Sequence, residues 1–497
     1  MLAIAWVLIS CESVKLSDAR GQYLRGEYYA ASETYRKLYR SVPREGQAQR
    51  AIIAFEMAEN YRRLNQPARA AAAYENAIRY GYPDTIVYFH YARMLHREGR
   101  YDVATEAYRR FLEFKPEDPM ALNGLRGVEL AVKWGNNFTR YTVERVKLFT
   151  STRGEFSPML SVEGDRLYFT SSREEVPGDE KSPVTGMKYN DFFIAVKNVH
   201  GEWQKPERID SGINTEYDEG TPSFSTDGEW MYYTFSTADA THTTSPKIYI
   251  SRRVNGRWGE GTPLEIVKGD SLWVFAHPSI SSSGRYLYFV SDMPGGYGGK
   301  DIWRAKIGDR REVVSVENMG PEINTEGDEL FPFLRNDSTL YFSSDGHPGM
   351  GGLDIFKAIR YNGSHVVPSG RIGDDECQWC VYNLQSPLNS SADDFGITFA
   401  AGEEKGFFSS NRNDVRGYDH IYSFVYPDID VWIEGFAVDE EDEFIQGAIV
   451  TTVGSDGSQV RLATGREGEY RLKVRGGVDY VLMASREGFL NKKQVLT

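Results

Sequence analysis

The chain has 497 residues, a formal charge of −14, and 40% hydrophobic and 13% aromatic residues. That length exceeds what one hydrophobic core serves, so several domains are expected, and the aromatic content excludes general disorder. The acidic balance excludes nucleic acid as a general partner, because binding a polyanion needs a basic face.

The first predicted element is an apolar run from Leu2 to Ile9, too short to span a bilayer. It ends at Leu8-Ile9-Ser10-Cys11, which resembles a bacterial lipobox. The resemblance implies a signal segment over 1–10 and an acylated Cys11 as the first residue of the mature protein. Several acyl chains on one cysteine anchor stably, where one does not. The run carries no Lys or Arg, which points to a start site placed too far downstream, and a buried cysteine in an N-terminal helix is the alternative.

From 11 to 135 the apolar period is helical. Asn65-Gln66-Pro67-Ala68-Arg69-Ala70 and Gly99-Arg100-Tyr101-Asp102-Val103-Ala104 start units 34 residues apart, and an earlier unit starts at Gly26-Glu27-Tyr28-Tyr29 after a gap of 39. The longer gap predicts an inserted turn over Arg44 to Gln49, and Met120 to Val132 reads as a capping helix. These units resemble the tetratricopeptide repeat, in which small residues let paired helices pack closely and aromatics fill the gap. In that register the concave groove holds Phe55, Glu59, Arg62, Arg63, Phe89, Arg93, His96 and Arg97. Residues 12 to 135 carry 20 Lys and Arg against 16 Asp and Glu, while the remainder carries 37 against 55. The groove is therefore a candidate site for an acidic partner surface, and a merely solvated helix face is the plainer reading.

Between 139 and 427 one pattern recurs five times. Pro158, Pro222, Pro278, Pro332 and Ile397 occupy the same position, at spacings of 64, 56, 54 and 65 residues. Each is followed by a tight turn, such as Asp227-Gly228 or Ser283-Gly284, and an aromatic strand such as Leu340-Tyr341-Phe342. Gly-rich loops at 295–299 and 349–352 lead to a third strand such as Asp301-Ile302-Trp303. Several short strands per unit at this period predict propeller blades. The segment resembles the PD40, or WD40-like, propeller family. Five blades is the count, with six the alternative, and the strand within Tyr141 to Phe149 is expected to complete the last blade and close the ring. Cys377 and Cys380, in Cys377-Gln378-Trp379-Cys380, are expected to form a local disulfide, since neither a thioredoxin setting nor further zinc ligands accompany them.

From 430 to 497 alternation resumes at Val431 to Val438, Ala448 to Val450, Gly465 to Leu472 and Tyr480 to Phe489. This stretch resembles the carboxypeptidase regulatory-like domain, a small β-sandwich of structural role. The fold class expected overall is multidomain: an all-α repeat solenoid, an all-β propeller and a sandwich.

No catalytic set emerges. No Gly-x-Ser-x-Gly elbow on an α/β domain and no His-Glu-x-x-His occurs, and the Gly-rich loops lack the Gly-Lys-Ser/Thr ending of a phosphate loop. The acidic pairs Asp218-Glu219, Asp328-Glu329 and Asp393-Asp394 each follow an Ile/Leu-Asn-Thr/Ser stretch, and recurrence once per blade predicts a repeated structural contact. No enzyme activity, cofactor or metal is expected.

The order of the three modules resembles the PorE family of the Bacteroidetes type IX secretion system. That resemblance implies a periplasm-facing outer-membrane lipoprotein that binds β-barrel or secretion proteins, such as a PorP-like barrel and PorK- or PorN-type components. It implies peptidoglycan linkage only through an OmpA-like domain that these residues do not contain. The competing expectation is a glycan-binding surface lipoprotein using an aromatic propeller funnel.

Overall fold

The structure, a computed structural model, describes residues 15–173, 187–237, 245–269, 272–360, 378–427, 431–455, 457–474 and 478–496. Cys11 and Cys377 lie outside the described residues. The chain divides into two compact units, one up to Val425 and one from Tyr426.

Among the described residues seven helices come first: α1 Leu16–Leu24, α2 Tyr28–Ser41, α3 Gln47–Arg63, α4 Pro67–Arg79, α5 Ile86–Arg97, α6 Tyr101–Leu112 and α7 Pro119–Asn136. Gly26, Asn65 and Gly99, the residues that open the repeat units, sit in the turns inside the helix pairs with φ of 79°, 57° and 69°. Glycine adopts this left-handed conformation freely and asparagine tolerates it, so the period marks the turns. α7 starts at Pro119 behind Asp118, whose side chain accepts from the Ala121 amide at 2.9 Å. The core interleaves Ala54, Ala58, Ala70, Ala92 and Ala104 with Tyr35, Tyr74 and Tyr108. The extra residues of the first unit form a turn between Ser41 and Gln47, a little earlier than expected, and α3 reaches 17 residues.

The strands that follow form five antiparallel sheets. β1 is Thr142–Arg145. Sheet one holds β2 Glu155–Leu160, β3 Arg166–Ser171, β4 Asp191–Val196 and β5 Glu207–Arg208. Sheet two holds β6 Asp218–Phe224, β7 Trp230–Ser236, β8 Lys247–Val254, β9 Arg257–Trp258 and β10 Thr262–Pro263. Sheet three holds β11 Ala276–Ile280, β12 Tyr286–Ser291, β13 Asp301–Ile307 and β14 Val313–Asn318. Sheet four holds β15 Glu329–Asn336, β16 Thr339–Ser344, β17 Asp354–Arg360 and β18 Trp379–Asn383. Sheet five holds β19 Asp394–Phe399, β20 Lys405–Ser410 and β21 His420–Val425. The first strand of each sheet touches that of the next, in the cycle β2, β6, β11, β15, β19 and back to β2, a propeller-like arrangement. β1 pairs with β21, Thr142 opposite Val425 and Arg145 opposite Tyr422, so the strand before sheet one completes sheet five. Aromatic residues of these strands supply the packing between sheets, as Phe192 with Tyr233 and Tyr341 with Phe399.

The second unit contains β22 Val431–Phe436, β23 Ile449–Gly454, β24 Gln459–Ala463, β25 Glu469–Val474, β26 Tyr480–Ser485 and β27 Lys492–Leu496. Among the described residues β22 pairs only with β25, and a four-stranded sheet runs β24-β23-β26-β27. Val450, Leu472, Val474, Tyr480 and Leu482 form its core. Among the described residues no helix is long and apolar enough to cross a membrane.

Candidate functional site

The position shared by the five repeats lies at the centre of the ring. Ser157, Thr221, His277, Phe331 and Gly396 precede the Pro or Ile of that position, and all have positive φ, at 52°, 54°, 50°, 52° and 62°. Each falls where the register between the first and second strands shifts, so every sheet bulges inward there. The bulge turns an amide toward the preceding sheet. Ser157 donates to Ser409 Oγ at 2.8 Å, Thr221 to Thr170 Oγ1 at 3.1 Å and His277 to Thr234 Oγ1 at 2.9 Å. In sheet three the matching second-strand residue is Val290, which has no hydroxyl. The Phe331 amide donates instead to His277 Nδ1 at 3.3 Å, and its ring stacks on that imidazole at 3.9 Å. Burial pushes the His277 imidazole down to about 3, which leaves it neutral and able to accept. These residues, with the four prolines and Ile397, line a pocket of about 30 Å³. That is room for about one water.

The acidic pairs lie where one sheet meets the next. Asp218, Asp328 and Asp393 accept from the amides of Asn190, Lys300 and Leu353 at 2.8, 2.8 and 2.9 Å. The amides of the following Glu219, Glu329 and Asp394 donate to the carbonyls of those same three residues. Each pair thus grips one peptide of the preceding sheet by both ends. The second acid folds back onto its own turn, where Thr215, Thr325 and Ser390 donate to it. Asn214, Asn324 and Asn389 complete the latch by bridging the N–H and C=O of Phe192, Ile302 and Ile355. The Gly-rich loops tuck beneath: Tyr297 donates to Asp301 at 2.7 Å and Met350 to Asp354 at 2.5 Å. A Cβ on Gly298 or Gly351 would overlap the backbone of the next sheet's turn. Burial pushes Glu219 and Glu329 up to about 8 and Asp218 to about 6. The recurring acids are joints between sheets, as their recurrence predicts. Among the described residues no group of His, Cys, Asp or Glu is arranged to hold a metal ion.

The eight groove residues divide into two sets. Toward the N-terminal half, Phe55 is half-buried and stacks on Tyr82 at 4.1 Å. Glu59 receives Arg62 at 2.6 Å and the Tyr74 hydroxyl. Burial opposes its charge, but those bonds and the nearby His90 hold its carboxyl below the usual value. Arg63 is exposed. Phe89 is buried against Phe111. In the C-terminal half the sequence reading leaves the groove open for a partner, and the structure fills it with the chain's own sheets. Arg93 pairs with Asp345, and Arg97 with Asp393 at 2.5 Å. Tyr101 donates to the Met350 carbonyl and Asn123 to the Gly346 carbonyl, both at 3.0 Å. His96 is buried beside Tyr108, and burial pushes it down to about 3. Helical periodicity places Arg93 and Arg97 on one face but says nothing of what faces them. A signal did exist: α7 carries Gly124 and Gly127 in its interior, where glycine weakens a helix unless something approaches closely. A Cβ on Gly127 would stand 2.8 Å from the Gly349 carbonyl oxygen.

Cys380, on β18, is disulfide-bonded.

This is a tetratricopeptide-repeat module seated on a propeller-like set of sheets, the construction of a protein-interaction scaffold. Residues 55–119 match the family model described as tetratricopeptide repeat. Among solved structures, the chain is similar to TolB from Acinetobacter baumannii at 16% identity and TM-score 0.31, covering 56% of this chain and 55% of that one. It is also similar to an α-L-arabinofuranosidase from Lactobacillus brevis, at 12% identity and TM-score 0.36, over 60% of this chain and 94% of that one. An endo-arabinase from Bacteroides thetaiotaomicron aligns at 15% identity and TM-score 0.36, over 55% and 94%. The chain thus spans about half the length of the TolB structure, and at these TM-scores none of the three bears on what it does. No curated protein matches the sequence.

Proposed function

We propose that this protein is a non-catalytic scaffold, tethered by a lipidated Cys11 to the outer membrane and facing the periplasm, that holds secretion-system or β-barrel proteins. In this reading the five sheets are the blades of a five-bladed propeller and the second unit is a β-sandwich. The observation that carries it is the joint between the repeat helices and the sheets. The small pocket at the ring centre, about 30 Å³ among four prolines and Ile397, favours this reading over glycan binding in a propeller funnel. The repeat helices are held against the sheets by partly buried ion pairs, so partners meet one assembled surface instead of two loosely linked ones. The apolar run ending at Ser10-Cys11 supports the anchor.

Labelling cells with a radioactive fatty acid tests the tether: wild type takes up label and Cys11→Ala does not. Cross-linking in intact cells, followed by purification of the membrane fraction, tests the scaffold. Recovery of an outer-membrane barrel or secretion component supports it, and recovery of neither removes it.

A further inference from the structure

The second unit is unequally layered. Its upper sheet has two strands, β22 and β25, and its lower sheet has four. β25 lies against β24 at one side of the lower sheet, so β22 falls toward the middle and the β26-β27 side is only partly covered, with Leu482 buried and Ala484 half-buried. Here a slot of about 170 Å³ opens between the layers. Its walls are Phe436 and Val438 at the end of β22, Tyr470 on β25, Leu482 and Ala484 on β26, and Phe489 beyond it. Phe436 and Phe489 remain 61% and 46% exposed, a cost that an unoccupied apolar wall carries in water. Two backbone edges border the slot, because among the described residues β22 pairs only with β25 and β27 only with β26. An unpaired edge beside a partly covered apolar floor is the geometry that an added strand completes, by main-chain hydrogen bonds along the edge and alternate side chains into the floor.

The slot's charge restricts the occupant. Lys492 lines it and Arg486 stands at its mouth, and neither has an ion-pair partner among the described residues. Lys493 follows on the same edge strand. The acidic turn 439–443 is occupied with its own bonds, Asp439 accepting from the amides of Glu441 and Glu443. A second copy is a poor fit. Its β27 would bring lysines onto lysines, and Val431 and Ile433 of its β22 already pack inside their own core.

We propose that this slot accepts one further β-strand from a partner protein, laid along the free edge of β22, with alternate apolar side chains over Leu482 and Ala484 and a carboxylate against Lys492 and Arg486. The site is distinct from the repeat groove and gives the scaffold a second point of attachment. It stands or falls without regard to what the repeats hold.

The test is fluorescence anisotropy with the 497-residue chain and two labelled peptides, Thr-Val-Thr-Val-Thr-Val-Thr-Glu amide and its Lys-ended counterpart. The Glu peptide is expected to saturate, with the Lys peptide at least about tenfold weaker, roughly the worth of one charge-assisted contact. Ala484→Trp, which fills the slot, is expected to weaken the Glu peptide by about tenfold or more, and Lys492→Glu to reverse the preference between the peptides. If Ala484→Trp melts the unit, the exposed Lys492→Glu decides alone. Absence of saturable binding at about 1 mM peptide overturns the proposal, as does an unchanged preference in Lys492→Glu. Dimerisation of the chain in light scattering that disappears in Ala484→Trp also overturns it, assigning the slot to a second copy.

Discussion

Arg97, at the end of helix α5, and Asp393, in the latch that precedes sheet five, meet at 2.5 Å, and Asn65 donates to the same carboxylate oxygen at 2.7 Å. One oxygen of the ring thereby holds the ends of two repeat units. Its carboxylate also accepts from Leu353 and from Asn411, so the acid that joins the sheets also joins the modules.

Removing one side of this joint is expected to cost more than the pair itself is worth. Asp393 is 6% exposed and Arg97 16%, so either single substitution strands a buried charge. Arg97→Met or Asp393→Leu alone should destabilise the first unit by about 3 kcal/mol, and the double substitution by less than their sum, while still losing the bonds Asp393 accepts from Leu353, Asn65 and Asn411. Urea titration of the four proteins gives the cycle. Hydrogen exchange should show α5 and residues 345–352 opening together in the single variants.

How much of this was legible follows from what sequence patterns report. Period reports element type and repeat, so the helix pairs, the aromatic second strands and the latch acids could all be read from residues such as Tyr101, Tyr341 and Glu329. A missing strand is also legible: the last unit shows three strands and one stands alone before the first, which is why the strand near Tyr141 could be assigned to the end of sheet five. Facing surfaces are not. Arg93 and Arg97 look the same whether a partner or the chain's own Asp345 and Asp393 lie opposite. β24 and β27 were missed because Gln459-Val-Arg-Leu-Ala and Lys492-Lys-Gln-Val-Leu are largely exposed edge strands, with too little apolar alternation to stand out.

The two glycines of α7 that differ in surroundings give a matched comparison. A Cβ at Gly127 would stand 2.8 Å from the Gly349 carbonyl oxygen and 3.1 Å from His96, whereas at Gly135 nothing lies within 4 Å. Gly135→Ala should stabilise by up to about 1 kcal/mol, the ordinary helix preference. Gly127→Ala should destabilise by about 1–3 kcal/mol despite the same preference, because the helix and the loop must part. Thermal melts of the two variants check this, and melts raised in both would mean that α7 does not press on the loop.

Alkaline pH should loosen the propeller-like sheets. Glu219, Glu329 and Asp419 are pushed up to about 8 by burial, above the 4.5 or 3.8 of the unfolded chain. A value raised on folding means that the stability these acids give is complete below the unfolded value and is lost as pH rises through about 8. The melting temperature should therefore fall between pH 6 and pH 9. Glu329→Gln, which keeps the shape without the proton, should fall less over the same interval, and an equal fall in both proteins would refute the assignment.

At the ring centre, Ser157 and Gly396 are neighbours in equivalent positions, and their substitution should act in opposite directions. Ser157 holds φ 52°, and its buried Oγ has no hydrogen-bond partner. Ser157→Gly removes the strain and the stranded hydroxyl, against the entropy glycine adds to the unfolded chain, for a net gain of about 0.5–1 kcal/mol. Gly396 has φ 62°, and a Cβ there would lie 3.3 Å from the Ser157 Cα. Gly396→Ala should cost about 1–2 kcal/mol from backbone strain and crowding together.

The seam between sheet five and sheet one should be the most sensitive place in the ring to loss of a single side chain. His420 is fully buried, with Nδ1 2.9 Å from Glu155 Oε2 and Nε2 3.0 Å from Asp414 Oδ2, so each ring nitrogen meets a carboxyl group. Glu155 opens sheet one and is itself fully buried, and its amide donates to the Asp419 carbonyl of the loop before sheet five's last strand. The imidazole therefore holds two carboxylates from the two ends of the ring at the place where β1 completes sheet five. His420→Phe keeps the bulk but takes one partner from each acid, leaving Glu155 with the Ser151 amide and Arg173 and Asp414 with the amides of Arg416 and Tyr418, and should cost about 1–3 kcal/mol. Urea unfolding followed by hydrogen exchange on β1 and β21 separates the outcomes: if the ring is closed there, those strands exchange first in His420→Phe, whereas uniform exchange over all five sheets would show that the seam bears no special share of the stability.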